Sequence, residues 1–256
     1  PSVFSELGAT VIAIGATPDG LNINLDCGST HPAALCGTVR QCGADLGIAF
    51  DGDGDRVIMV DHQGEILDGD DLLFIIARDR LRSGSQFNAV VGTLMTNLGL
   101  EIALRALGVD LYRVQVGDRY VMERLLAEHL ILGGENSGHI ICLDRTTTGD
   151  GIISALQVLT AMLHTGKSLR DLKAGIIRYP QVLINVTVSG AVDLQRTPIQ
   201  DAVRAVENQL GGQGRVLLRP SGTEPVVRVM VEGPDAATVE RHACELAGVV
   251  RNTLSA

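Results

Sequence analysis

Tryptophan is absent from this sequence of 256 residues, and only three tyrosines and four phenylalanines stand among the 45% that are hydrophobic. Cores must therefore be built from Leu, Ile, Val and Ala. Basic residues are in deficit: the formal net charge is −9, and no Lys/Arg cluster runs along any predicted helix. A surface that neutralises many nucleic-acid phosphates is thereby excluded, and any anionic ligand must be held by a few placed arginines. Five cysteines are present, Cys27, Cys36, Cys42, Cys142 and Cys244. None falls in a Cys-x-x-Cys pair, and the spacing suits neither a zinc site nor a secreted disulfide framework. Reduced thiols in a cytoplasmic protein are the expectation. No apolar run approaches the roughly 20 residues that span a bilayer, so no membrane partner is expected either. Internal repeats and low-complexity segments are also missing. The first residue is Pro1 rather than Met, no signal-peptide pattern follows, and Val3 to Gly8 reads as the tail of a helix already under way. These features lead us to expect the back part of a longer protein.

What is there is an alternation of helix and strand patterns. After apolar Val11 to Ile14 and a loop from Gly15 to about Pro32, a short helix is predicted near Ala33 to Gln41. Strand-like runs follow at Leu46 to Phe50 and Val57 to Val60. Helical spacing over Asp70 to Arg82, Leu98 to Leu107, Tyr120 to His129 and Gly151 to His164 is interleaved with strands at Ala89 to Leu94, Leu111 to Val116, Ile131-Leu132 and Ile140 to Leu143. Beyond Tyr179-Pro180 the order becomes strand (Gln181 to Val188), helix (Pro198 to Leu210), two strands (Arg215 to Leu218, Val226 to Glu232) and helix (Ala236 to Leu254). This predicts an α/β protein with mixed sheets, closed by a small α+β domain whose helices lie on one face of an antiparallel sheet. The expected domains are 1–70, 71–180 and 181–256.

Two loops carry the clearest chemistry. Asp51-Gly52-Asp53-Gly54-Asp55-Arg56 lies between two predicted strands, and its alternating carboxylates can converge on one point as the glycines let the backbone curl. Three hard oxygen ligands with room for water and a phosphoryl oxygen match Mg²⁺. An EF-hand fails, because its sixth position would be Arg56, its twelfth His62, and its flanks are strands. An aspartyl phosphatase with Asp51 as nucleophile is a competing reading, with Asp70-Asp71 as its arguable second acidic pair. The second loop, Arg219-Pro220-Ser221-Gly222-Thr223-Glu224-Pro225, leads into a strand carrying Arg228. Guanidinium forks, two hydroxyls and backbone amides turned by Gly222 suit a phosphate.

Between them, Gly133 to His139 is predicted as a turn offering Glu135, Asn136, Ser137 and His139, the mixed donors and acceptors that sugar hydroxyls need. His139 could also transfer a proton, since a histidine titrates near neutrality. Gly117-Asp118-Arg119, and Thr146 to Gly151 before a helix, read as polar strand ends facing a cleft, the latter alternatively as an N-cap.

The order of these three motifs resembles the α-D-phosphohexomutase superfamily across essentially the whole chain. Asn22-Ile23-Asn24, then Cys27-Gly28-Ser29-Thr30-His31-Pro32, with Asn136 where glucose and mannose mutases more often carry Met, is similar to the bacterial phosphoglucosamine mutase branch. The resemblance implies metal ligands at Asp51, Asp53 and Asp55 for Mg²⁺, and catalytic roles for Arg56 and His139. It implies substrate contacts from Arg119, Glu135, Asn136, Ser137, Arg219, Ser221, Gly222, Thr223 and Arg228. The implied reaction interconverts glucosamine 6-phosphate and glucosamine 1-phosphate through a phosphoserine and a 1,6-bisphosphate. The implied partner is a phosphorylated hexosamine, and an oligomer is compatible with it. Superfamily members carry that serine in a Ser-His-Asn-Pro-like segment, and none occurs in these residues. The expectation is therefore a truncated chain that is inactive alone. A glucose or mannose mutase, or a noncatalytic sugar-phosphate binding module, are the alternatives.

Overall fold

A computed structural model describes residues 1–188, 192–221 and 224–254. They form two compact units, one of Pro1–Thr96 and Ala103–Ile176, the other of Asn97–Ile102 and Ile177–Ala256.

The first unit opens with helix α1 (Ser2–Glu6). The apolar run Val11 to Ile14 that follows pairs with no described strand, and Ile12 is 58% exposed. Helix α2 (Ala33–Cys42) stops at Gly43, whose φ of 61° is left-handed and suits a residue without Cβ. Strands β1 (Leu46–Phe50) and β2 (Val57–Asp61) form an antiparallel pair with Phe50 opposite Val57, so the acidic loop is the tip of a hairpin. A short β3 (Ile66–Leu67) extends this sheet beyond β2.

Helix α3 (Gly69–Arg82) starts at a capping box, in which Asp68 accepts from the backbone N–H groups of Asp70 and Asp71 while Asp71 accepts from that of Asp68. Leu72, Leu73, Phe74, Ile75 and Ile76 are all buried, so this helix is covered on every side. The mixed sheet is ordered β5-β4-β6-β7. Within it β4 (Ala89–Thr93) runs parallel to β5 (Asp110–Val114) and β6 (Leu132–Gly134), and β7 (Ile140–Cys142) is antiparallel to β6. Helices α4 (Leu98–Ala106), α5 (Asp118–Ala127), α6 (Gly151–Thr165) and α7 (Leu169–Leu172) complete the set up to Ile176. Val121 and Leu125 of α5 pack with Ala89, Val91 and Ile141 of the sheet. Each such buried Leu, Ile or Val contributes about 1.5–3 kcal/mol.

The second unit holds β8 (Gln181–Thr187), α8 (Thr197–Leu210), β9 (Arg215–Pro220), β10 (Val226–Glu232) and α9 (Ala236–Leu254). Its sheet is antiparallel throughout, ordered β8-β10-β9. Alternate residues Val227, Val229 and Val231 of β10 share one core with Val239, Ala243 and Leu246 of α9 and Ile199, Val206 and Leu210 of α8. Both helices thus serve one face, as the strand and helix order predicts. Asn97–Ile102, which opens α4, belongs to this unit: the fully buried Glu232 accepts the N–H of Leu98 at 2.8 Å and meets Arg215 Nε at 2.6 Å.

The expected mixed α/β architecture with a small α+β part is what the structure has. Differences lie at edges. Strand β5 ends at Val114 rather than Val116 because its parallel neighbour ends at Thr93, its register partner. Helix α5 stops before His129, whose φ is +53°. Gly133 and Gly134 belong to β6 rather than to a turn: a Cβ at Gly133 would stand 2.8 Å from the carbonyl oxygen of Val91, so glycine lets the strands close. Among the described residues no helix is long and apolar enough to cross a membrane.

Candidate metal and sugar-phosphate site

At the tip of the β1–β2 hairpin the loop is curled by its own first carboxylate. Asp51 Oδ1 accepts the backbone N–H of Gly54 at 3.1 Å and of Arg56 at 3.2 Å, with Gly54 at φ +73°. One carboxylate oxygen from each of Asp51, Asp53 and Asp55 then lies within 4.8 Å of the others. Carboxylates that close repel unless a cation sits among them. Arg56 places Nε 3.8 Å from Asp51 Oδ2, which offsets only part of that charge. Asp55 Oδ1 is buried and accepts no hydrogen bond. Three hard oxygen donors converging with one buried oxygen unsatisfied fit a divalent cation such as Mg²⁺.

The segment Glu135 to His139 is stitched across the base of this loop. His139 forms an isolated antiparallel bridge with Arg56, and Val57 donates its N–H to the carbonyl of Gly138 at 3.0 Å. His139 is 4% exposed, with Nδ1 at 3.0 Å from Asp55 Oδ2. Glu135 is also buried, and its Oε1 accepts the N–H of Gly117 at 2.9 Å. That bond ties it to the turn before α5, where Arg119 is exposed with Nε 2.7 Å from Glu123 Oε1; the hydrogen bond raises the Arg119 pKa. Asn136 is half-buried and its carbonyl accepts from Gly69 at 3.1 Å, while Ser137 is exposed. The first unit thus brings Asp51, Asp53, Asp55, Arg56 and His139 together and links the Arg119 turn to the same segment through Glu135.

Two more segments adjoin the loop. Gly151, at the start of α6, donates its N–H to the carbonyl of Gly54 at 2.9 Å, and Asp150 caps the same helix by accepting from Ile153. The Thr146 to Gly151 stretch is therefore an N-cap and a support for the acidic loop at once. Sequence reasoning missed Gly149 and Gly151 as close contacts; two glycines flanking an N-cap aspartate were the available signal. The Asn22 to Pro32 stretch also abuts the loop, since a Cβ at Gly52 would stand 2.4 Å from Ile23 Cδ1. Ser29 donates to the carbonyl of Phe50 at 3.0 Å, and residues including Asn24, Cys27, Asp51 and Gly52 line a recess of about 560 Å³.

In the second unit, Arg219 and Arg228 are cross-strand partners on β9 and β10. Both Nε atoms are buried without a hydrogen-bond partner, and Arg228 reaches Glu224 at 3.4 Å. Burial, and then the facing Arg228, push the Arg219 pKa down. Like charges opposite each other destabilise a strand pair, so the arrangement favours an anion. Ser221 donates its N–H to the carbonyl of Val226 at 2.9 Å. Gly222 and Thr223 lie outside the described residues.

Family models for the phosphoglucomutase/phosphomannomutase proteins match the chain consecutively: α/β/α domain II over residues 1–64, α/β/α domain III over 68–179 and the C-terminal domain over 183–249. The chain belongs to the phosphohexomutase superfamily. Curated relatives named "Phosphoglucosamine mutase" include one from Hahella chejuensis, 60% identical over 99% of this chain and 57% of its own length. One from Alkalilimnicola ehrlichii is 61% identical over 98% and 56%. The chain thus spans a little over half the length of these relatives. Solved superfamily structures share its fold at low identity. An N-acetylglucosamine-phosphate mutase in a product complex has a TM-score of 0.70 at 22% identity, covering 89% of this chain and 53% of that one. An Aspergillus fumigatus N-acetylphosphoglucosamine mutase in complex with GlcNAc-6P and magnesium has 0.69 at 21%, covering 90% and 54%.

Proposed function

We propose that these residues are the metal-, sugar- and phosphate-holding portion of a phosphoglucosamine mutase, which interconverts glucosamine 6-phosphate and glucosamine 1-phosphate. The observation that carries this reading is 60% identity to a relative of that name along 255 residues. In the reaction a phosphoserine gives its phosphoryl group to the free sugar hydroxyl, a 1,6-bisphosphate forms and turns over, and its other phosphate returns to the serine. Asp51, Asp53 and Asp55 would hold Mg²⁺, which when bound offsets charge on the phosphoryl oxygens. Arg56 would stabilise the same developing charge, and Glu135, Asn136 and Ser137 would hold the sugar with Arg119 beside them. Arg219 and Arg228, with Ser221, Gly222 and Thr223, would grip whichever phosphate is not reacting. Domain limits of 1–70, 71–180 and 181–256 assign one task to each part. A cytoplasmic location accords with the five free cysteines.

A phosphorus NMR time course with Mg²⁺, glucosamine 6-phosphate and a trace of the 1,6-bisphosphate tests the proposal. These residues contain no Ser-His-Asn-Pro-like segment, so the chain alone is expected to broaden the substrate signals without converting them. Joined to the portion of the Hahella chejuensis relative that it does not match, it is expected to yield glucosamine 1-phosphate. A folded chimera without conversion overturns the mutase reading, and release of inorganic phosphate points instead to a phosphatase using Asp51.

A further inference from the structure

We infer that Gly117 is a positioning residue for Glu135: its amide holds one oxygen of the carboxylate, so that the other, Oε2, is the one offered to a sugar hydroxyl. The inference rests on the sugar-holding role proposed for Glu135 and goes beyond it by making that role depend on a glycine at the start of α5.

Glu135 follows β6 directly, and its main chain is fixed on both sides. Its N–H donates to the carbonyl of His139 at 2.9 Å, and its own carbonyl accepts from Gly138 at 3.0 Å. A Cβ at Gly69 would collide with that same carbonyl oxygen, so the first residue of α3 packs against it without a side chain. Only the side chain of Glu135 is left to be set. The residue is buried, and Oε1 accepts the N–H of Gly117 at 2.9 Å. Burying a carboxylate oxygen without a donor is costly, so this bond selects the orientation of the group. Gly117 can make it because of its backbone. It is the N-cap of α5, with φ +134°, ψ 135° and no capping side chain, in a region that residues with a Cβ avoid. Its carbonyl is committed to the helix, accepting from Tyr120 at 3.0 Å and from Val121 at 3.4 Å. With the carbonyl side anchored, any residue at 117 that relaxes φ must swing its amide, and the N–H then leaves Glu135.

Calorimetric titration of the chain with glucosamine 6-phosphate in the presence of Mg²⁺ tests this, with circular dichroism confirming the fold of each variant. Gly117→Ala is expected to weaken binding about tenfold, as losing one hydrogen bond to a charged group does. Glu135→Ala is expected to weaken it at least as much. In the double variant the two losses are expected not to add, because Gly117 acts only through the carboxylate. Independent of whether Gly117→Ala folds, hydrogen exchange at the Gly117 amide is expected to be slow in the unaltered chain and in Glu135→Gln, which keeps an acceptor oxygen, and fast in Glu135→Ala. Unaltered affinity in folded Gly117→Ala overturns the positioning role, as do additive losses in the double variant or an unprotected Gly117 amide in the unaltered chain. If the unaltered chain binds no glucosamine 6-phosphate, or Glu135→Ala binds it equally well, the sugar-holding reading itself falls and takes the inference with it.

Discussion

Burial can silence a reactive side chain, and Cys142 is the clearest case. It is 1% exposed at the end of β7, and burial pushes its pKa from an ordinary 9.0 up to about 11, with nearby Arg80 opposing the shift. The neutral thiol therefore dominates at pH 8. Iodoacetamide at that pH is expected to label the exposed Cys42 and Cys244 and to leave Cys142 unmodified, as peptide mass spectrometry can show; equal labelling would mean that β7 opens readily. The sign of the linked stability follows. Because the folded value lies above the unfolded one, the contribution is complete below pH 9 and lost as the pH rises toward about 11. The denaturant midpoint should fall over that interval. The sequence exposed the five thiols but not their ranking, since burial depends on neighbours distant in the chain.

At the scale of elements, the acidic loop depends on helix α6 as much as on its own hairpin. The N-terminus of α6 presents Gly151 N–H to the carbonyl of Gly54, and Asp150 caps the same turn. Asp150→Ala removes the cap at a cost of about 1 kcal/mol, expected to lower the melting temperature by about 2–4 °C. An unchanged melt would show that the first turn of α6 needs no cap. The helices and longer strands were legible in the sequence because apolar spacing survives without knowledge of partners. The two-residue β3, the four-residue α7 and the glycines inside β6 were not. Each of those owes its state to a facing strand or cap rather than to a period of its own.

For the molecule as a whole, the two compact units each carry one part of the proposed chemistry and have their own buried cores. The acidic loop and the Glu135 to His139 segment are in the first, the Arg219 and Arg228 pair in the second. Chains built of separate units commonly depart from two-state unfolding. Calorimetry is accordingly expected to resolve two transitions, with Mg²⁺ raising one and inorganic phosphate the other. At a ligand concentration of 100 times Kd the gain is about 2.7 kcal/mol. Arg219→Gln is expected to abolish the phosphate response and preserve the Mg²⁺ response. A phosphate effect that survives Arg219→Gln would place the anion elsewhere.

By itself the sequence determined the α/β class, the superfamily resemblance and the identities of the acidic, sugar and arginine segments. These follow from local periodicity and from residues close together in the chain. Tertiary structure alone decided that Asp55 faces His139, that Gly149 leaves room for the ring and that Arg219 stands opposite Arg228. Those pairings join residues from separate elements, and only strand register and packing bring them within a hydrogen bond or a strand spacing of one another.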